Sequence, residues 1–267
     1  MSTTNLNTFP YPEWVVLHVP HDSQLIPSSV IGQFVISESE LQSELINMTD
    51  HYTYDLYSSG VSDEQVVRAP LSRLVVDVER FEDDAYETMA GRGMGVIYQV
   101  GSKLQSLRRA LNSSERKDLL DKYYRPHHLK LTKTVDRLLN NYGYAFLLDC
   151  HSFPSKPLPY EIDTTNLERT DICLGTDSFH TPKHVVDLFV TEFKRQGLSV
   201  SIDTAFAGTL VPHKHYQIDS RVSSLMIEIN RKLYVDESNG FKSHSFNETQ
   251  VKIRQATHLA FNKLESQ

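Results

Sequence analysis

Histidine, carboxylate and arginine side chains follow four short apolar runs of the sequence, at the points where the runs end. The end groups are, in chain order, His21-Asp22, Asp77-Val-Glu79-Arg80, Asp149-Cys150-His151-Ser152 and Glu228-Ile-Asn230-Arg231. Two imidazoles and one carboxylate from separate strand ends can hold a zinc ion and leave a fourth position for water. Because ligand sites in open α/β sheets lie beyond the carboxyl ends of the strands, these groups predict a metal-dependent site there.

His21 and His151 are the natural pair of metal ligands, since both come at strand ends with aspartates close by. A carboxylate commonly orients a ligating imidazole. The alternative is that both are loop histidines satisfied by hydrogen bonds. His18 is a weaker candidate, because its odd spacing from His21 would point the two side chains to opposite faces of a strand.

Two residues are candidates for the catalytic general base or nucleophile. Glu228 follows Leu-Met-Ile in a run that reads as buried, and a buried carboxylate is costly unless it is paired or metal-linked. It is therefore our candidate general base, the alternative being an edge-strand glutamate that faces water. Cys150 next to His151 would suggest a thiol nucleophile, but adjacent strand residues point to opposite faces, which favours a core position for Cys150.

Three arginines offer the planar fork that binds a carboxylate through two hydrogen bonds, and they are Arg73, Arg80 and Arg125. Ordinary surface ion pairs are the alternative for each of them. The odd spacing of Arg73 and Arg80 on a strand suggests that only one projects into the site. We favour Arg80, which is nearer the end of the run.

The elements that must position these groups are strands alternating with helices. The apolar runs at residues 14–19, 74–78, 144–148 and 225–229 predict buried strands. Helices are predicted from the Ser37-x-x-Glu40 capping box to about residue 57, from Ser113 with a kink at Pro126, from Pro182 to Gly197, and from about Thr249. This alternation predicts an α/β fold, a single-domain mixed β-sheet flanked by helices on both faces.

Composition narrows the functional classes. The 267 residues, 39% of them apolar, can form one domain spanning residues 1–267. A net charge of -7 with scattered basic residues argues against nucleic acid as a partner. No apolar stretch of membrane-spanning length or secretory pattern is apparent, so no membrane association is expected. The two cysteines, Cys150 and Cys173, fit a reducing, cytoplasmic location.

Taken together in this order, the segments resemble the N-formylglutamate amidohydrolases, zinc enzymes similar to carboxypeptidases and aspartoacylases. The resemblance covers roughly residues 15–237. Besides the strand ends already described, it includes Asp50-His-Tyr-Thr-Tyr-Asp55-Leu-Tyr57, Tyr124-Arg125-Pro-His-His128, Phe206-Ala-Gly208 and His215-Tyr216. One departure is Glu79-Arg80, where many family members have Asn-Arg.

The resemblance implies a carboxypeptidase-like fold, one Zn²⁺ per chain and hydrolysis of a small acidic amide, favouring N-formyl-L-glutamate, with a role in histidine degradation. Its implied metal ligands are His21, His151 and Asp50, with Asp22 as the alternative third ligand. Glu228 is the implied base. The implied supporting residues are Arg125 and His128 in catalysis, and Arg80, Arg73 and His215 in substrate binding.

Other readings of the same residues stay open at this point. A carboxypeptidase-like peptidase or another N-acyl-amino-acid deacylase would use the same metal centre. A metal-free binding protein on this scaffold is the non-enzyme alternative, although such a protein has no need for His21, His151 and Glu228 together. A homo-oligomer is compatible with the sequence.

Overall fold

A six-stranded mixed sheet forms the centre of the structure, a computed structural model that describes residues 9–162, 164–165 and 168–266. The strands are β1 (Val15–Val19), β2 (Val66–Arg68), β3 (Ala145–Phe153), β4 (Ile172–Gly175), β5 (Val200–Ile202) and β6 (Val222–Asn230). Their spatial order is β2-β1-β3-β6-β4-β5. The β2, β1, β3 and β6 strands run parallel, and β4 is antiparallel to β6.

The helices are α1 (Ser28–Ile31), α2 (Glu38–Met48), α3 (Thr53–Ser58), α4 (Ser113–Leu119), α5 (Arg125–Tyr142), α6 (Lys183–Arg195) and α7 (Phe246–Glu265). Short 3₁₀ turns span Asp63–Gln65, Thr88–Arg92 and Arg231–Leu233, and a π-helical turn spans Leu120–Tyr124. A small hairpin is formed by β7 (Val235–Asp236) and β8 (Phe241–Lys242). Within the described residues, no helix is both long and apolar enough to cross a bilayer.

Helices cover both faces of the sheet, as predicted. Alternate residues of β1 and β3, such as Val16 and Leu147, pack with Leu131 and Leu138 of α5. The intervening residues enter a larger core on the other face. Its helical members include Leu56 and Tyr57 of α3, Val185 and Phe189 of α6, and Ile253 and Phe261 of α7. The α/β fold class with a mixed sheet is confirmed.

The predicted strand at residues 74–78 is wrong. Val75, Val76 and Val78 are buried in a separate apolar cluster, but the segment is a series of turns. The Arg108 guanidinium binds the backbone carbonyls of Leu74 and Val75. Because these carbonyls are satisfied by a side chain, the segment can be buried without joining the sheet. Three short strands of the six-stranded sheet, β2, β4 and β5, were not predicted.

The predicted helix from Ser37 to about residue 57 is two helices. The capping box is present, with the Ser37 side chain and Glu40 each binding the other's backbone N–H. α2 ends at Met48, and Tyr52, with a left-handed φ of 60°, precedes α3. The break matters because it contains Asp50.

The predicted kink at Pro126 takes the form of a change in helix type. Pro126 lies in the first turn of α5, directly after the π-helical turn. A proline lacks the N–H that an α-helix needs, and a wider turn accommodates the interruption. The predicted end of α6 is also present, since Gly197 follows the helix with a left-handed φ of 76°.

Candidate metal centre

The ends of β1, β3 and β6 bring the predicted histidines and glutamate to one place on the sheet. His151 in β3 is the register partner of Glu228 in β6, and His21 follows just after β1. Asp50 follows α2, and its backbone N–H donates to the carbonyl of His21 at 2.9 Å. Segments that are distant in sequence therefore converge here.

His21, Asp50 and His151 form a buried group whose donor atoms face one another. The Oδ2 atom of Asp50 lies 3.0 Å from His151 Nδ1 and 3.6 Å from His21 Nδ1. The two imidazole rings are 5.1 Å apart, centre to centre. Imidazole nitrogens and a carboxylate oxygen are the usual protein ligands of a catalytic zinc ion.

Both imidazoles of this group are held from behind by carboxylates. His21 Nε2 donates to Asp77 Oδ1 at 2.7 Å, and His151 Nε2 donates to Asp149 Oδ1 at 3.1 Å. With its proton on Nε2, His21 keeps a lone pair on Nδ1, and that buried atom has no hydrogen-bond partner in the described part of the chain. An unpartnered buried nitrogen supported by an outer carboxylate fits a metal ligand.

Asp50, rather than Asp22, accompanies the two histidines. Its Oδ1 accepts a hydrogen bond from Arg231 Nη2 at 3.0 Å, which leaves Oδ2 for the histidines. The Asp22 carboxylate is taken up by Arg68 Nε at 2.8 Å and by the backbone N–H of Tyr54. Although burial by itself raises the pKa of Asp50, the neighbouring imidazoles hold it well below its ordinary value. Asp50 is therefore available as an anion.

His18 lies beside this group, contrary to the alternation argument. Its Nδ1 is 2.8 Å from Asp149 Oδ1, the same oxygen that binds His151. The alternation argument does not reach His21 because β1 ends at Val19. His18 and His151 consequently share one carboxylate.

Glu228 is buried beside the group and is poorly satisfied. Only 6% of the residue is exposed, and in the described part of the chain its Oε2 has no hydrogen-bond partner. Burial raises the pKa of this carboxyl to about 8. A carboxyl with a pKa near neutrality can both accept and release a proton, as a general base must.

Cys150 points away from His151, into the apolar core on the other face of the sheet. Its Sγ donates to the carbonyl of Leu148 at 3.3 Å, and burial raises the pKa of the thiol well above its usual range. A nucleophilic cysteine needs the opposite shift, so the geometry supports the core position predicted for it.

Arg73 and Arg80 both approach Asp77, but only Arg73 is fully engaged there. Arg73 donates from Nη2 to Asp77 Oδ2 at 2.8 Å and from Nε to the Tyr98 hydroxyl at 3.0 Å. The Arg80 Nε lies 3.8 Å from the same oxygen without a hydrogen bond, and its Nη1 is 3.4 Å from Glu87 Oε1. Its side chain is 22% exposed.

Arg125, His128 and His215 are placed outside the group. Arg125 is half-exposed and pairs with Glu82. His128 Nε2 donates to a backbone carbonyl at 2.9 Å, and His215 Nε2 lies 2.9 Å from Asp136 Oδ1. None of these contacts reaches the three-donor group.

Tyr98 and Arg231 are site residues to which the sequence pattern assigned no role. The Tyr98 hydroxyl donates to Asp77 Oδ2, and so fixes the carboxylate behind His21. Tyr98 gave no signal, because it lies in an apolar stretch. Arg231 did offer one, since it ends the segment that begins with Glu228.

Comparisons with known proteins agree on one family. The sequence model described as FGase, N-formylglutamate amidohydrolase, matches residues 14–235. An N-formylglutamate deformylase of Pseudomonas putida is 28% identical over 197 residues, which are 71% of this chain and 72% of that protein. A deformylase of the same name from Pseudomonas aeruginosa is 28% identical over 234 residues, covering 85% of this chain and 84% of the relative.

Solved structures share the fold. The crystal structure of an N-formylglutamate amidohydrolase from Ralstonia eutropha superposes with a TM-score of 0.79 at 22% identity, covering 96% of each chain. A gene product of Agrobacterium tumefaciens gives a TM-score of 0.66 at 17% identity, covering 96% of this chain and 92% of the other. Because the family model spans most of the sequence, including all of β1 to β6, this chain belongs to the N-formylglutamate amidohydrolase family.

Proposed function

We propose that this chain is a zinc-dependent amidohydrolase that converts N-formyl-L-glutamate to formate and L-glutamate. The observation that carries the proposal is the buried group of His21, Asp50 and His151 with Glu228 as the strand neighbour of His151. The substrate is suggested by the name of the two Pseudomonas relatives, N-formylglutamate deformylase.

The metal ligands in this proposal are His21 Nδ1, Asp50 Oδ2 and His151 Nδ1. These atoms face one another, while the outer atoms of the same side chains are held by Asp77, Arg231 and Asp149. When bound, a zinc ion supplies Lewis acidity, which polarises a carbonyl oxygen and lowers the pKa of water from 15.7 towards about 7.

Glu228 moves the proton in the proposed reaction. It takes a proton from the attacking water as the new C–O bond forms at the formyl carbon. It returns the proton to the nitrogen as the C–N bond breaks, so that formate and the amine of glutamate leave. Its raised pKa suits both steps, and a cation held by the adjacent donor group would favour the carboxylate form that begins the cycle.

Arg80 is the residue proposed to bind a carboxylate of the substrate. Its guanidinium is partly exposed, and among the described residues its polar contacts are the long one with Glu87 and the approach to Asp77 without a hydrogen bond. Arg73 is instead committed to Asp77 and Tyr98, so we assign it to positioning the carboxylate behind His21. A cationic fork also offsets the net charge of -7, which disfavours an anionic substrate.

Arg125, His128 and His215 stay outside this mechanism, because their contacts are made elsewhere. The organisation as a single domain, the cytoplasmic location, the role in histidine degradation and the homo-oligomer stay predictions from the sequence. Both cysteines are free and buried, in keeping with the predicted reducing compartment.

Formate release tests the proposed function. Metal-free protein reconstituted with zinc should release formate from N-formyl-L-glutamate, and activity should follow zinc content. N-acetyl-L-glutamate, N-formyl-leucine amide and short peptides serve as matched substrates. Faster cleavage of peptides would favour the carboxypeptidase-like alternative, and faster cleavage of N-acetyl-L-glutamate another deacylase. Binding of N-formyl-L-glutamate without turnover of any substrate would favour a binding protein.

A further inference from the structure

A second set of donor atoms, from His18, Glu79, Asp149 and His151, forms a ring beside the first group. His18 Nδ1 is 2.8 Å from Asp149 Oδ1 and 3.1 Å from Glu79 Oε1. On the other side of the ring, His151 Nε2 is 3.1 Å from Asp149 Oδ1 and 3.8 Å from Glu79 Oε1. Each of the two nitrogens thus lies within 3.8 Å of both carboxylate oxygens.

These distances match the spacing of metal ligands. With metal–ligand bonds of about 2.0–2.1 Å, neighbouring donors of a tetrahedral site lie about 3.3 Å apart. The four separations range from 2.8 to 3.8 Å, around that value. Glu79 Oε1 is also buried without a hydrogen-bond partner among the described residues, although an unmet buried oxygen is costly.

The two negative charges of the ring, on Asp149 and Glu79, also favour a bound metal ion. Asp149 is fully buried and Glu79 is 16% exposed. In the described structure, the ion-pair contacts of both carboxylates are with histidines only, and neither meets a lysine or an arginine. Two buried negative charges are balanced either by protonating both imidazoles or by one divalent cation.

We propose that His18, Glu79 and Asp149 hold a second divalent metal ion, next to the one assigned to the catalytic group. The ligand atoms are His18 Nδ1, Glu79 Oε1 and Asp149 Oδ1, and the N–H at His151 Nε2 donates to Asp149 Oδ1 from the first group. One imidazole and two carboxylates suit a first-row divalent cation such as Zn²⁺ or Mn²⁺. His18 is oriented for this role, because its Nε2 is bonded to His127 Nε2 at 2.8 Å.

The two sites meet at His151, which offers Nδ1 to the first site and donates from Nε2 to Asp149 of the second. An amide in place of the Glu79 carboxylate would remove one of the two negative charges of the ring.

Metal stoichiometry tests this proposal. Metal-free protein is titrated with Zn²⁺ against a chromophoric chelator, and bound metal is measured after gel filtration. Wild-type protein should bind two equivalents. Glu79→Gln should bind one, because it keeps the shape of the side chain and removes the charge. Glu82→Gln, a half-exposed glutamate on the same segment, is the matched control and should bind two. His21→Ala should lose the other equivalent.

Crystals of the wild-type protein grown with Zn²⁺ give an independent readout that needs no variant. An anomalous difference map should show one peak within each donor group. Binding of a single equivalent by the wild type, or of two by folded Glu79→Gln, overturns the second site. If that single equivalent is lost in His21→Ala, the proposed function stands. Two equivalents without formate release would contradict the proposed function and leave the second site intact.

Discussion

Asp77 links a proposed metal ligand to a largely buried arginine, so its replacement by asparagine tests how the centre is held. The carboxylate binds His21 Nε2 through Oδ1 at 2.7 Å, and binds Arg73 and Tyr98 through Oδ2. Asparagine keeps the shape and can still offer one oxygen, but it removes the negative charge. Asp77→Asn should therefore weaken metal binding and destabilise the fold.

The size of both effects follows from these contacts. Loss of an outer partner of a ligating histidine typically lowers metal affinity 10–100-fold, which is about 1.4–2.7 kcal/mol. Breaking one partner out of a buried ion pair costs about 3–5 kcal/mol. The Arg73 side chain is 13% exposed and keeps its bond to the Tyr98 hydroxyl. We therefore expect a loss near the lower figure, about 3 kcal/mol.

Chelator competition measures the metal affinity, and urea unfolding of metal-free protein measures the stability separately. Metal-free protein is needed because a ligand that binds only the folded state adds to its stability. Tyr98→Phe is the matched control, since it removes the hydroxyl's two hydrogen bonds, to Asp77 and from Arg73, and no charge, and should cost about 2 kcal/mol. A folded Asp77→Asn variant with wild-type metal affinity would refute the assignment of Asp77 as the residue that orients His21.

Three further predictions address the other residues of the centre. His21→Ala and His151→Ala should each bind at least one equivalent of metal fewer than the wild type in elemental analysis, and the full wild-type metal content in both variants would exclude the proposed ligands. Glu228→Gln should keep its metal while kcat falls by about 10²-fold or more, so near-native turnover would remove it from the mechanism. Arg80→Lys keeps the charge but loses the fork. Its kcat/KM should fall much further for N-formyl-L-glutamate than for N-formyl-leucine amide, and equal losses would make Arg80 structural.

The convergence of His21, His151 and Glu228 could be predicted from the sequence. Each lies at or near the end of an apolar run, and the runs that carry them became β1, β3 and β6. Parallel strands end at the same edge of a sheet, so strand assignment was enough to place these residues together. The exclusion of Cys150 needed only the alternation of side chains along β3.

Asp50 could not be placed in this way, because it lies in a break between helices. The helical pattern from Ser37 onward gives no reason to stop at Met48, and the predicted helix ran through Asp50. The break depends on tertiary contacts, including the bond from the Asp50 N–H to the carbonyl of His21. Asp50 was predicted as a ligand from the resemblance to the family, because the local sequence pattern does not place it at the site.

The strand wrongly predicted at residues 74–78 also affected the prediction for the neighbouring arginines, Arg73 and Arg80. A short apolar run fits a strand or any other buried segment, and what decided here was Arg108, which lies far along the chain and binds the carbonyls of Leu74 and Val75. Once the segment is a series of turns, alternation no longer separates Arg73 from Arg80. Both guanidinium groups approach Asp77 Oδ2, at 2.8 and 3.8 Å. The choice of Arg73 or Arg80 as the residue that binds the substrate carboxylate therefore depends on the hydrogen bonds that each already makes. Arg80 is again favoured, because its guanidinium has donors that, among the described residues, are free to bind a substrate.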